Sequence, residues 1–149
     1  MEVNVYAEAT IKRPSKGKGF SMYLIECIIN DRIETREGIT YLPETTEAAI
    51  ILEALINALI HFNKPCELKI FTKCSGVFNA LNTGRALEYR EKDFTSSRKA
   101  PIKNAILWDI LLELLQKHKW TVTQEDHSYM IYMESALKKA QKDRAEKDK

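Results

Sequence analysis

The strongest constraint on the fold is a long segment with apolar residues at helical spacing on more than one face. From about Glu44 to Phe62 the chain reads ETTEAAIILEALINALIHF. A surface helix has a single apolar stripe, whereas this pattern is typical of a helix that is covered from two sides. The next segment, Cys66 to Thr72, is almost continuously apolar, as in an interior strand that is reached by a crossover. The two segments together indicate helices packed on a sheet.

Three strand patterns precede this helix. Residues 2–12, EVNVYAEATIK, alternate between apolar and polar positions, which is the period of a half-buried strand. The segments GFSMYLIECII and RIETREGITY are rich in β-branched and aromatic residues and are joined by a turn at Asn30 and Asp31. The chain is therefore expected to begin as an antiparallel meander.

The remaining elements follow the buried strand. They are a short helix SGVFNALN, an irregular polar stretch RALEYREKDFTSSRKAP, a helix NAILWDILLELLQKH, a strand WTVTQ and a closing helix. Asn104 is expected to cap the second of these helices, and the closing helix is expected to begin at about Tyr129. The predicted fold class is α/β, with a five-stranded mixed sheet that is flanked by helices and has its first three strands antiparallel.

Length and composition predict one ordinary globular domain. The 149 residues are assigned to a domain over residues 1–140 and a charged C-terminal tail over 141–149. Cys27, Cys66 and Cys74 form no CxxC pair and have no histidine at ligand spacing, so they are expected to be reduced core thiols. The chain shows no signal peptide and no membrane-spanning segment, which predicts a cytoplasmic protein that does not bind membranes.

Positive charge is clustered although the net charge is only +2. Residues 12–18 contain four basic side chains and no acid, and residues 85–103 contain six basic and three acidic side chains. Clustering determines a local surface potential more than the total charge does. The composition thus neither excludes nor establishes binding to nucleic acid.

Four segments match motifs of one known family. VNVYAEAT resembles its first strand, ETTEAAIILEAL its glutamate-led helix with the pattern E-x8-EAL, and FTKCSGVFNAL the frame of its T-D-S-x-x-V motif. APIKNAILW is similar to its helix entry P-[VI]-K-N-x-x-L-W. On these segments and on the order of elements, residues 3 to about 140 resemble the type 1 ribonuclease H family. The resemblance implies a ribonuclease H-like fold.

The resemblance also implies a set of site residues. Glu8, Glu44 and Glu134 correspond to three of the four acids that hold two divalent ions in this family, with Glu134 on the closing helix. Hydrolysis of a phosphodiester by two ions requires carboxylates that converge from different elements, because hard cations take oxygen ligands. His127, in EDHSY, corresponds to a loop histidine that assists turnover. If the chain is active, the implied cofactor is Mg²⁺ or Mn²⁺, and otherwise there is none.

Lys73 stands where the family has its fourth acid. The stretch from Leu68 to Leu87 contains no Asp or Glu, so another register does not supply that acid. We predict that the Lys73 ammonium takes the place of a metal ion and pairs with Glu8 or Glu44.

The polar stretch over residues 85–103 resembles the basic protrusion by which many family members contact the DNA strand of a hybrid. Basic side chains position a phosphate backbone, and aromatic rings pack on sugars and bases. The predicted nucleic-acid-binding residues are Tyr89, Arg90, Lys92, Phe94, Arg98 and Lys99, with Lys16 and Lys18 in the basic loop after the first strand.

Three functions remain open from the sequence. The first is a ribonuclease H-like protein that binds RNA/DNA hybrid or duplex nucleic acid and whose metal-dependent cleavage is lost or impaired by Lys73. The second is an active, Mg²⁺- or Mn²⁺-dependent endoribonuclease for RNA/DNA hybrids. The third is a protein interaction module without catalysis, because a fold alone does not carry a function.

Overall fold

The computed structural model describes residues 1–13, 15–92 and 102–148, and it contains five strands and five helices in that part of the chain. The strands are β1 (Glu2–Ala9), β2 (Gly17–Ile29), β3 (Arg32–Thr45), β4 (Glu67–Thr72) and β5 (Lys119–Thr123). The helices are α1 (Glu47–Leu59), α2 (Ser75–Asn82), α3 (Arg85–Glu91), α4 (Ala105–Leu115) and α5 (Met130–Lys147).

The strands form one mixed sheet in the order β3-β2-β1-β4-β5. β1 pairs antiparallel with β2, and β2 pairs antiparallel with β3. β4 pairs parallel with β1, and β5 pairs parallel with β4. This topology confirms the predicted five-stranded sheet. Since β1, β4 and β5 run in the same direction, their carboxyl ends lie at one edge of the sheet, where loops collect functional side chains.

The β2–β3 hairpin closes through the predicted turn. Asn30 and Asp31 have φ angles of 50° and 65°, and Ile29 is paired with Arg32 on either side of them. Two consecutive positive φ angles are those of a type I′ turn, which matches the twist of the flanking strands. Asn and Asp tolerate this conformation better than most residues do, which explains why they occupy the turn.

Side chains of β1 enter two separate cores. Val3, Val5 and Ala7 pack with the buried face of α1 and with α2 and α4 on one side of the sheet, while Tyr6 points to the other side. The second core joins Tyr6, Phe20, Met22, Leu24 and Phe71 to Met133 and Leu137 of α5. α1 buries seven residues, including Leu52 and Leu55, as its two-sided apolar pattern predicts. Burial of one such leucine contributes about 1.5–3 kcal/mol.

Three local predictions require correction. α1 begins at Glu47 rather than near Glu44, because Thr46 caps it by accepting the Ala49 N–H at 3.2 Å. Asn104 precedes α4 but has left-handed φ (62°) and no side-chain cap.

The third correction concerns a helix that the sequence did not indicate. A short helix, α3, occupies the start of the stretch that was predicted to be irregular. α5 continues past residue 140 to Lys147, and its last turns are solvent-exposed. None of the helices in the described residues is long and apolar enough to span a membrane.

A buried histidine connects the end of α4 to the start of β4. Nδ1 of His118 accepts the Cys66 N–H at 3.0 Å, and the residue is only 7% exposed. Burial, followed by the charge of Lys117, lowers the pKa of His118 below its usual 6.5. The folded state therefore favours the neutral ring.

We expect the free energy of unfolding to decrease as the pH falls below about 6.5, because the unfolded chain then binds a proton more readily than the folded chain. Denaturant titrations from neutral to acidic pH measure this dependence. His118→Asn keeps an acceptor near the place of Nδ1 but cannot be protonated, so its stability should depend less on pH. The same pH dependence in both proteins would contradict this assignment.

Candidate functional site

Glu8 lies near the carboxyl end of β1 and is held by two basic side chains. Its carboxylate is 3.1 Å from Nε2 of His127 and 3.8 Å from Nζ of Lys12. The Glu8 side chain is only 12% exposed, so these contacts are partly shielded from solvent. An acid in such a position needs partners, because burial penalises its charged form.

His127 belongs to the packed interior of the site. Its side chain is 4% exposed, and its ring lies 4.2 Å from the Tyr6 ring and 5.6 Å from the Phe71 ring, measured between centroids. Its Nδ1 accepts the Tyr129 N–H at 3.2 Å. In the neutral ring the hydrogen is therefore on Nε2, which donates to Glu8.

Lys73 follows β4 directly, but its partner is not the predicted one. The ammonium donates to the Gln124 carbonyl at 2.5 Å and to Oδ1 of Asp126 at 2.6 Å. The hydrogen bond from Lys73 and then its charge lower the pKa of the Asp126 carboxyl. The prediction that Lys73 pairs with Glu8 or Glu44 is thus wrong, although Lys73 does reach the edge of the sheet where Glu8 lies.

Glu44 lies apart from the other predicted acids. It is near the end of β3, its side chain is 73% exposed, and its contact is with Lys16 at 4.0 Å. Glu47, one residue after the N-cap of α1, is half-buried instead, and burial raises the pKa of its carboxyl. Sequence reasoning missed Glu47 because the E-x8-EAL register favoured Glu44. The pair Thr45-Thr46, as a potential cap, was the signal that could have corrected it.

Glu134 and Glu8 line the same cleft. The cleft is about 350 Å³ and lies between the ends of β1 and β4 and one face of α5. Glu134 is paired with Lys138 one turn along the helix, at 3.2 Å. The charged residues that line the cleft are Glu8, Glu134, Lys12, Lys73 and Lys138. Ammonium groups therefore outnumber carboxylates in the lining, and Ala9, Met130 and Leu137 are its apolar residues.

Comparison with known proteins gives the family. No family model matches the chain. A ribonuclease H of Caldicellulosiruptor saccharolyticus is 30% identical over 118 residues, which are 78% of this chain and 77% of that protein. The chain belongs to the ribonuclease H family.

Solved structures agree with the fold. LC9-RNase H1, described as a type 1 RNase H with the type 2 active-site motif, superposes with a TM-score of 0.72 at 18% identity and covers 93% of this chain and 71% of that one. LC11-RNase H1, solved in complex with RNA/DNA hybrid, superposes with a TM-score of 0.54 at 15% identity over 93% and 98% of the two chains. At these identities the likeness shows the ribonuclease H fold.

The acids of this ribonuclease H-like chain do not fit the two-metal site that the family implies. Glu8 and Glu134 share a cleft with three lysines, whereas Glu44 lies outside its lining. Among the described residues, no group of three or more His, Cys, Asp or Glu side chains is arranged to hold a metal ion. Hard divalent cations require several oxygen ligands and an excess of negative charge, which this donor set does not offer.

The predicted contacts to nucleic acid are dispersed. Tyr89 packs edge-on against Trp108 at 5.8 Å, and Arg90 pairs with Glu113 at 2.8 Å, so both contact α4. Lys92 ends α3 and is exposed, as are Lys16 and Lys18 in and beside the loop after β1. Phe94, Arg98 and Lys99 lie outside the described residues.

Proposed function

We propose that this ribonuclease H-family protein binds RNA/DNA hybrid or duplex nucleic acid and that its metal-dependent cleavage is lost or strongly impaired. The observation that carries this proposal is the charge of the cleft, whose lining contains three lysines and two glutamates. Such a surface favours the phosphate groups of a nucleic acid over a pair of divalent cations.

A second cleft extends the basic surface beyond the first. It is about 430 Å³, and it shares Lys12 and Lys73 with the first cleft and adds Lys103 beside the first turns of α1 and α2. Glu47 is its one acidic lining residue, and burial raises the pKa of that carboxyl, which disfavours its charged form. A phosphate backbone that passes over both clefts would therefore meet Lys103, Lys12 and Lys138 in turn.

The family supports the choice of ligand class. A ribonuclease H1 with this fold has been solved in complex with RNA/DNA hybrid, and hybrid is accordingly the first ligand to test. Basic residues that contact phosphates give affinity without sequence specificity, so different sequences should bind about equally.

The alternative is an active endoribonuclease that uses Mg²⁺ or Mn²⁺. One observation favours it: the Lys73 ammonium contacts Asp126 and Gln124, so it does not neutralise Glu8 through direct pairing. In that case Glu8 and Glu134 would hold an ion after Lys12 and His127 release Glu8.

The binding proposal predicts a specific dependence on salt. Replacing Lys103 and Lys138 with Gln should weaken hybrid binding and reduce the slope of log affinity against log salt by about one per lysine. Fluorescence anisotropy with a labelled hybrid at several salt concentrations measures both quantities.

Lys64 and Lys119 provide a matched control for this experiment. Lys64 precedes β4 and Lys119 is the first residue of β5, so both lie at the opposite edge of the sheet from the two clefts. Lys64→Gln with Lys119→Gln removes the same charge, so its affinity should stay close to that of the unmodified protein. Equal losses in the two variants would reject the clefts as the binding surface, and no hybrid binding at low salt would favour an interaction module.

A further inference from the structure

The loop between β5 and α5, residues 124–129, is attached to the core of the protein at both ends. At its start, Lys73 of the β4 exit donates to the Gln124 carbonyl and to the Asp126 carboxylate. The Gln124 amide in turn donates to the Lys73 carbonyl and to Oγ of Ser75, both at 3.3 Å. These four hydrogen bonds connect the loop to the β4–α2 junction.

The end of the loop is held by different contacts. His127 is packed on Tyr6 and hydrogen-bonded to Glu8, as described above. Tyr129 donates through its hydroxyl to Glu26 of β2 at 2.5 Å. The contacts of residues 124–129 thus extend from the exit of β4 over Tyr6 of β1 to Glu26 of β2, which is in register with Asn4.

We propose that Lys73 is a positioning residue that fixes the β5–α5 loop and thereby holds His127 against Glu8. An ammonium group has three donors, and it is therefore able to satisfy a carbonyl and a carboxylate at once. A carboxylate at position 73 could do neither, and it would also repel Asp126. This role belongs to the free protein and does not depend on binding of nucleic acid.

The effect of Lys73 should be local rather than global. The Asp126 side chain is 83% exposed, and exposed ion pairs contribute little to overall stability. On the Gln124 side, the other contacts of the loop are the exposed Lys69–Glu125 pair at 3.8 Å and a hydrogen bond from the Glu125 N–H to the Thr123 hydroxyl. Loss of the Lys73 contacts should therefore loosen the loop locally, and the melting temperature should fall only by the small amount that follows when His127 uncovers part of Tyr6 and Phe71.

The ring of His127 provides a spectroscopic test. Because this ring lies 4.2 Å from the Tyr6 ring, its NMR signals should be displaced from those of a solvent-exposed histidine. In Lys73→Met they should move toward the exposed values, and the amides of residues 124–129 should exchange faster with solvent. Lys73→Arg retains donors for both acceptors and should restore the signals and the slow exchange.

Lys69→Met is the matched control. Lys69 lies on β4, the strand that Lys73 follows, and pairs with the neighbouring loop residue Glu125, but at 3.8 Å and with both side chains well exposed. The variant should leave the His127 signals in place. Unchanged signals in Lys73→Met, or equal changes in both variants, would overturn the proposal.

A second variant removes the loop carboxylate that Lys73 contacts. Asp126→Asn removes the carboxylate at an exposed position, where failure to fold is not expected. It should displace the His127 signals in the same direction as Lys73→Met, though less, because the Gln124 carbonyl keeps its donor. If Lys73→Met does not fold, unchanged His127 signals in Asp126→Asn would by themselves overturn the proposal.

Discussion

The purified protein is expected to leave an RNA/DNA hybrid essentially uncut in the presence of Mg²⁺ or Mn²⁺. Two-metal cleavage needs ions that stabilise both the attacking and the leaving oxygen. A cleft that is lined by three lysines and two glutamates disfavours both ions. Without the ions, the activation barrier for cleavage should be higher by several kcal/mol, which slows the reaction by about a thousandfold or more. Single-turnover cleavage of a labelled hybrid measures this directly.

A variant with a third carboxylate in the cleft tests the cause. Lys73→Asp combined with Asp126→Asn removes an ammonium and adds an acid without placing two acids in contact. In this variant Mg²⁺ should raise the melting temperature, because a ligand stabilises the folded state to which it binds. Any cutting that appears should disappear again when Glu8→Gln is added. Robust cutting by the unmodified protein that Glu8→Gln abolishes would instead establish the active endoribonuclease.

Truncation of Met133 should be strongly destabilising. Met133 is fully buried in the core between α5 and the sheet, where it packs with Tyr6, Phe71 and Leu137. Met133→Ala removes these contacts and leaves a cavity, which typically costs about 2–5 kcal/mol. That is a large part of the roughly 5–15 kcal/mol by which domains are usually stable. Urea denaturation followed by circular dichroism measures the change.

Ile131, two residues earlier on the same helix, is the control. It is 81% exposed, so Ile131→Ala should change the free energy of unfolding by no more than about 0.5 kcal/mol. If the two variants lost similar amounts of unfolding free energy, Met133 would not be the residue that attaches α5 to the sheet. Glu134 would then lack the fixed support that places it in the cleft.

The agreement between sequence and structure is closest where local pattern and tertiary packing favour the same result. The alternation of β1, the Asn30-Asp31 turn and the short helix α2 all occur where they were predicted. Each of these features depends on residues that are close in sequence, because it is set by the spacing of apolar side chains or by the backbone conformations that the residues prefer. The motif matches extended this to the ribonuclease H-like fold with its mixed five-stranded sheet, whereas the strand order β3-β2-β1-β4-β5 comes from the structure.

The start of α1 shows how tertiary pairing overrides a local pattern. Glu44 fits the helical register, but β3 continues to Thr45, which pairs with Gly17 of β2. Helix α1 can begin only after this strand ends, and Thr46 is its N-cap. Strand pairing between distant residues therefore removed Glu44 from the cleft and made Glu47 the half-buried acid of α1.

The sequence by itself determined the fold class, the family resemblance and the presence of a lysine at the exit of β4, because these depend on periodicity and on residue identity at fixed spacings. Only the tertiary structure decided the partners of the charged side chains. Glu8 and His127 are 119 residues apart, and Lys73 and Asp126 are 53 apart. The path of the β5–α5 loop decides which charged side chains meet at the edge of the sheet, and no local sequence pattern specifies that path.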